Sequence, residues 1–129
     1  MNDLLLNLFS DSRGTLGSIE FGDLPFIPQR FYWITLQEKK VRGKHAHKKL
    51  EQLIFVLEGQ VEFRTFRGQL ETRSILERGE YLLIGSSVWR EFQSLGEMAV
   101  LGCLASQPYS ESDYIRDFEE YLEHYREIL

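Results

Sequence analysis

Eight short segments rich in Val, Ile, Phe, Tyr, Trp and Leu, each broken from the next by glycine or polar residues, leave few folds open to this chain. They cover residues 17–21, 29–36, 52–57, 60–66, 71–76, 80–84, 88–93 and 99–105. Each has the length of a strand, and even spacing with turn residues between predicts an all-β sandwich or barrel. Glu58-Gly59 and Arg67-Gly68 read as hairpin turns, because glycine takes positive φ at no steric cost.

The C-terminal residues follow another rule. Tyr114, Phe118, Tyr121, Leu122, Tyr125 and Leu129 recur at spacings of three and four, the pattern of one helical face. Ser110 or Ser112 is expected to cap this helix, with Asp113 as a capping-box acid and the aromatic stripe packed on the strands. At 129 residues the chain is expected to form a single domain, 1–129, since a second core would be starved of side chains. Nine Phe, six Tyr and two Trp are enough to fill one.

A net charge of −5 and a pI near 5.2 argue against nucleic acid as a partner, which needs a basic face to displace counterions. A mononucleotide stays open, because its diphosphate asks only for local cations and residues 39–49, KKVRGKHAHKK, gather them in an acidic chain. MNDLLLNLFSD lacks a basic start and is interrupted by Asn7, unlike a signal peptide, and no run approaches a membrane span. The single cysteine, Cys103, lies in an apolar stretch and reads as a small buried hydrophobe. Together these point to the cytoplasm.

His45 and His47 flank Ala46, and on an extended strand alternate residues share a face, so both imidazoles enter one cavity or both meet solvent. The order His-x-His, strand, glycine turn resembles the first motif of the cupins, whose fold is a jelly-roll barrel. There two histidines, a carboxylate and a third histidine hold a metal. This chain has Gln52 at the carboxylate position, with Glu51 facing the other way, and Arg90 where the third histidine follows Trp89. An amide is a poor ligand and a guanidinium repels a cation. A metal set survives only if Glu51 turns inward or His124 reaches over. Without a metal, the histidines are free for proton transfer, since an unperturbed imidazole titrates near pH 6.5.

The stretches RGKHAHKK (42–49), IGSSVWRE (84–91) and SDYIRDF (112–118), in this order, resemble the sugar 3,4-ketoisomerases, cupins acting on dTDP-4-keto-6-deoxy-glucose in deoxysugar biosynthesis. The resemblance runs from the Arg13-Gly14 turn to the final helix. It implies a small jelly-roll β-barrel with a C-terminal α-helix, no cofactor, and an isomerisation moving the keto group from C4 to C3 through an enediol. His45 and His47 are then the catalytic pair. Arg42, Lys44, Arg90, Trp89 and Tyr32 become substrate-binding candidates: the cations for the diphosphate or the developing oxyanion, the aromatic rings for the sugar or the thymine. The family also forms homodimers, commonly with N-terminal strands exchanged. Two departures bear on the pocket: Ser86 replaces the usual proline, and residues 37–41, QEKKV, are lysine-rich. The competing readings are a non-catalytic nucleotide-sugar binding cupin and a metal-dependent cupin enzyme.

Overall fold

A computed structural model describes residues 5–129. Strands β1 (Leu6–Asp11) and β2 (Gly14–Ile19) form an antiparallel hairpin of their own. Eight strands follow: β3 (Arg30–Gln37), β4 (Arg42–His47), β5 (Gln52–Glu58), β6 (Gln60–Arg67), β7 (Leu70–Glu77), β8 (Tyr81–Ile84), β9 (Trp89–Ser94) and β10 (Met98–Ala105). The chain ends with β11 (Tyr114–Ile115) and helix α1 (Phe118–Glu127).

One sheet has the order β3-β10-β5-β8, the other β11-β4-β9-β6-β7. Apart from the β6–β7 hairpin, successive strands from β3 to β10 alternate between two facing sheets, as in a jelly roll. Among the described residues, a lone parallel bridge between Glu38, just after β3, and Ser94, at the end of β9, links the two sheets. The expected barrel is therefore an all-β sandwich whose sheets do not close into a hydrogen-bonded cylinder.

Strand periodicity explains the core. Val61 and Phe63 on β6 point between the sheets and are fully buried, while Glu62 and Arg64 alternate with them outside. In β5 the unbroken run Leu53–Val56 has both faces buried. Ile54 and Val56 join the inter-sheet core with Leu36, Phe63, Phe92 and Leu101, whereas Leu53 and Phe55 lie with Leu6 and Leu104 beside the N-terminal hairpin. Glu58-Gly59 is not the expected hairpin, since β5 and β6 lie in different sheets; Gly59 carries the chain from one to the other at φ +84°, where a Cβ would stand 2.6 Å from the Met98 carbonyl oxygen. A side chain there is excluded twice over.

Other expectations change too. Of MNDLLLNLFSD, residues 1–4 lie outside the described residues and the rest forms β1. The segment expected as 17–21 is β2, which ends at Ile19 before a 3-10 turn. The helix starts at Phe118, with the Asp117 side chain accepting from Glu120 N at 3.0 Å, so neither Ser110, Ser112 nor Asp113 caps it. Tyr114 and Ile115 are extended because they pair with His47 and Ala46 along the free edge of β4. Phe118, Tyr121, Leu122 and Tyr125 of the stripe pack as expected with Trp89, Ala46 and Ile115 outside the second sheet, whereas Leu129, expected on the same face, is exposed. No helix among the described residues is long and apolar enough to cross a membrane.

Candidate active site

β4 places the histidines. His45 lies opposite Arg90 on β9, and Gly43 opposite Glu91, so Lys44 is an extra residue in a bulge, with φ +54°. After it the strand regains its alternation, and His45 and His47 face the same way. Their ring centroids are 4.9 Å apart, edge to face. Tyr114 lies against both, at 5.0 Å from His45 and 4.3 Å from His47.

A polar network meets them. Arg90 is 1% exposed. Its guanidinium donates to the Val88 carbonyl from Nε at 3.3 Å and Nη2 at 3.1 Å, and from Nη1 to Gln52 Oε1. A guanidinium can only donate, which fixes the orientation of the Gln52 amide. Gln52 Nε2 therefore donates to the Tyr32 hydroxyl. This leaves Tyr32 its own proton to give.

Burial sets the charges. Desolvation first, and the Arg90 charge second, push His45 down to about 4 and His47 down to about 2. Both imidazoles are therefore neutral at physiological pH, rather than titrating near 6.5 as an unperturbed imidazole would. Arg90 is lowered by burial to about 10 and stays cationic. Burial raises the Tyr32 phenol above its ordinary range, so it remains protonated. His45 Nδ1 lies 3.0 Å from the Gly43 carbonyl oxygen. A carbonyl only accepts, so Nδ1 carries the hydrogen and Nε2 keeps its lone pair.

Residues 109–116 wall the pair. Arg116 stacks on Tyr114 at 4.1 Å and donates to both Glu111 oxygens at 2.8 and 2.9 Å. Tyr109 donates to Glu111 at 2.5 Å. Arg30, at the start of β3, lies over the rings of Tyr32 and Tyr109. Sequence reasoning missed Tyr114, Asp113, Arg30 and Arg116 as site residues. The signal was present in SDYIRDF, but helical spacing drew Tyr114 into the wrong element.

Of the expected site residues, the structure gathers His45, His47, Arg90 and Tyr32. Arg42 begins β4 opposite Phe92 and is exposed, as is Lys44 in the bulge. Trp89 stands apart. Its neighbours on β9 alternate, so Arg90 points between the sheets while Trp89 is 3% exposed beneath the helix, 5.2 Å from the Phe118 ring, and donates to Glu91 at 3.0 Å. That corrects its expected place as a wall for sugar or thymine.

A metal does not fit this donor set. Gln52 and Arg90 do point inward where ligands would stand, but one is neutral and the other a cation already bonded to it. Glu51 is exposed and His124 Nε2 lies 3.1 Å from Ser87 Oγ, so neither completes the set. Among the described residues no three of His, Cys, Asp and Glu cluster for an ion. The turn where Ser86 replaces proline is tied down by Ser87, whose N–H donates to the His47 carbonyl at 2.7 Å and whose own carbonyl accepts from Tyr121 at 2.9 Å.

A cavity of about 470 Å³ lies elsewhere, between the N-terminal hairpin and the outer face of the first sheet, lined by Leu8, Ile19, Phe31, Phe55 and Leu104 among others. Its lining is mostly apolar, with Thr15, Ser18 and Arg78 among it, and holds none of the histidine-pair groups.

Comparison with known proteins gives the same outline. The family model described as "FdtA: WxcM-like, C-terminal" matches residues 2–126. A curated relative from Aneurinibacillus thermoaerophilus, TDP-4-oxo-6-deoxy-alpha-D-glucose-3,4-oxoisomerase, is 35% identical over 121 residues, 92% of this chain and 87% of its own. Among solved structures, a sugar 3,4-ketoisomerase from Thermoanaerobacterium thermosaccharolyticum in complex with TDP is 36% identical with a TM-score of 0.89, covering 98% of this chain and 94% of its own. A 3,4-ketoisomerase from Helicobacter canadensis is 36% identical with a TM-score of 0.87, at 95% of both chains.

Proposed function

The chain belongs to the WxcM-like FdtA family, and from that premise we propose that it is a TDP-sugar 3,4-ketoisomerase of deoxysugar biosynthesis, moving the keto group of a dTDP-4-keto-6-deoxy-hexose from C4 to C3. The observation that carries the chemistry is the pair of neutral imidazoles set edge to face beside a buried, cationic Arg90.

The step needs no external oxidant. A neutral histidine takes the C3 proton, and the C3–H electron pair forms C3=C4 as the C4 carbonyl oxygen becomes an enediolate oxygen. Protonation at C4, with the O3 proton lost and O4 taking one up, leaves a ketone at C3 and a hydroxyl at C4. Every proton removed is returned, so substrate and product are isomers. Arg90 lowers the energy of the enediolate, because a preorganised cation away from water acts where negative charge develops. Tyr32, accepting from Gln52, keeps its O–H for a sugar oxygen. Arg42 and Lys44, exposed on β4, are assigned to the diphosphate, together with Arg30 and Arg116 near the histidines. In this reading the reaction uses no metal, since the Arg90 cation stands where a ligand would and repels one.

The working unit in this reading is a single domain acting in the cytoplasm as a homodimer. Phe31 and Trp33 on the outer face of β3 are 54% and 67% exposed, and Phe9 and Leu16 on the hairpin are 63% and 61% exposed. Exposed aromatic and aliphatic groups on this scale suit pairing of two copies, with N-terminal strands exchanged.

The test is incubation with dTDP-4-keto-6-deoxy-glucose in deuterium oxide, following the C3 and C4 protons by NMR. A 3-keto product that has lost the C3 proton and carries solvent deuterium at C4 supports the isomerase. Tight binding of dTDP with no exchange would instead assign a nucleotide-sugar binding module.

A further inference from the structure

Proton transfer by His45 and His47 leaves unused the carboxylate that faces His47. Asp113 is 8% exposed. Its Oδ1 accepts from Lys49 N at 2.9 Å, its Oδ2 from Leu50 N at 3.2 Å, and its carbonyl from Lys48 N at 2.9 Å. These bonds pin the carboxylate against the turn that follows β4. His47 is 1% exposed, and its Nδ1 lies 3.3 Å from Asp113 Oδ2. That distance is an ion-pair approach, but the alignment is not that of a hydrogen bond, and among the described residues neither ring nitrogen has a hydrogen-bond partner.

Buried polar atoms in this state are few and ask for a reason. The Cβ–Cγ torsion of histidine sits in a broad well, so a modest ring rotation brings Nδ1–H onto Oδ2. A carboxylate only accepts, so the nitrogen it faces must carry the hydrogen. His45 reaches the same state through the Gly43 carbonyl. One ring is anchored by backbone, the other by an anion.

On the isomerase reading above, we infer that Asp113 is a positioning residue: it holds His47 in the Nδ1–H tautomer, so that Nε2 is the free proton acceptor, and it stabilises the imidazolium formed when His47 takes a proton. An orienting carboxylate of this kind acts through geometry and tautomer rather than by accepting the proton itself.

The ring nitrogens report this directly. In ¹⁵N-edited NMR of the free wild-type protein, His47 is expected to be protonated at Nδ1 with Nε2 bare. Asp113→Asn turns an amide N–H toward Nδ1 and is expected to invert the tautomer, lowering kcat by about 10²-fold with KM within about twofold. Wild-type His47 protonated at Nε2 overturns the inference, as does Asp113→Asn with full kcat and an inverted tautomer. If Asp113→Asn does not fold, the wild-type tautomer still decides. If the wild type turns over no keto sugar, the isomerase reading fails while the NMR result still tests the hold of Asp113 on His47.

Discussion

The two ends of the space between the sheets are built by the same strands with opposite chemistry. On β3 the inward positions run Tyr32, Ile34, Leu36; on β5 Gln52, Ile54, Val56; on β9 Arg90, then Phe92. One level of each strand is polar, and the next levels are apolar core. The apolar end buries surface at about 25 cal/mol per Å² and holds the sheets together. The polar end encloses a cation and two imidazoles, which costs stability unless every group is paired, and the His47 nitrogens are not. Residues that weaken a fold persist where they do chemistry.

The sharpest way to break this contrast is one large substitution at each end. Phe63→Ala, at a fully buried position against Phe92, should cost about 3–5 kcal/mol in denaturant unfolding, while kcat per folded molecule stays near wild type. A matching loss of kcat would show the two ends to be one unit. His45→Asn and His47→Asn should do the reverse. Each is expected to lower kcat by about 10²-fold or more, the usual scale for a lost acid or base, with the melting temperature nearly unmoved. Wild-type turnover in either variant would return that histidine to a structural role.

Acid tests the same contrast more gently. Both histidines have folded pKa values below the unfolded value near 6.5, at about 4 and about 2. Between about pH 6.5 and 4 the unfolded chain therefore binds more protons than the folded one, so stability rises with pH and is lost on acidification through that window. From pH 7 to 5.5, before carboxylates titrate, the loss should be about 2–3 kcal/mol for the pair. Activity should stay flat from pH 8 to 6, since the bases remain neutral, and decline as the pH approaches 4. The double variant His45→Asn/His47→Asn should unfold with a flatter pH profile. An unchanged slope would assign the titration elsewhere.

Much of this contrast is legible in the amino-acid sequence. Period-two alternation locates the inward positions, and comparison of Gln52 and Arg90 with the ligand positions of a metal cupin shows that the polar end holds no ordinary ligand set. Three features are not legible there. The charge state of the histidines depends on burial, which the spacing His-x-His does not encode. The wall made by residues 109–116 depends on an edge of β4 needing a partner, a tertiary demand that overrides the helical spacing of Tyr114. Trp89 borrows significance from its neighbour Arg90 in the motif, although adjacent strand residues face opposite sides.

Trp89 supplies the smallest expected effect and the finest test of that last point. The ring lies outside the second sheet with Phe118 and Tyr121, at centroid distances of 5.2 and 5.8 Å, and its indole N–H donates to Glu91. Trp89→Phe keeps an aromatic ring in that layer but removes the donor and part of the packing. It should cost about 1 kcal/mol, the usual net worth of one hydrogen bond with some lost contact. Because the indole is separated from the histidines by the backbone of its own strand, KM for the keto sugar and the dissociation constant for dTDP should stay within about twofold. The informative comparison is with Tyr32→Phe, which preserves the ring at the polar end and removes only the hydroxyl that Gln52 donates to. That variant should leave the melting temperature nearly fixed and lower kcat, since the O–H is the group offered to the sugar. If Trp89→Phe instead raised KM severalfold with no change in melting, the indole would have to meet substrate, and the division between the helix-covered face and the reacting interior would have to be redrawn.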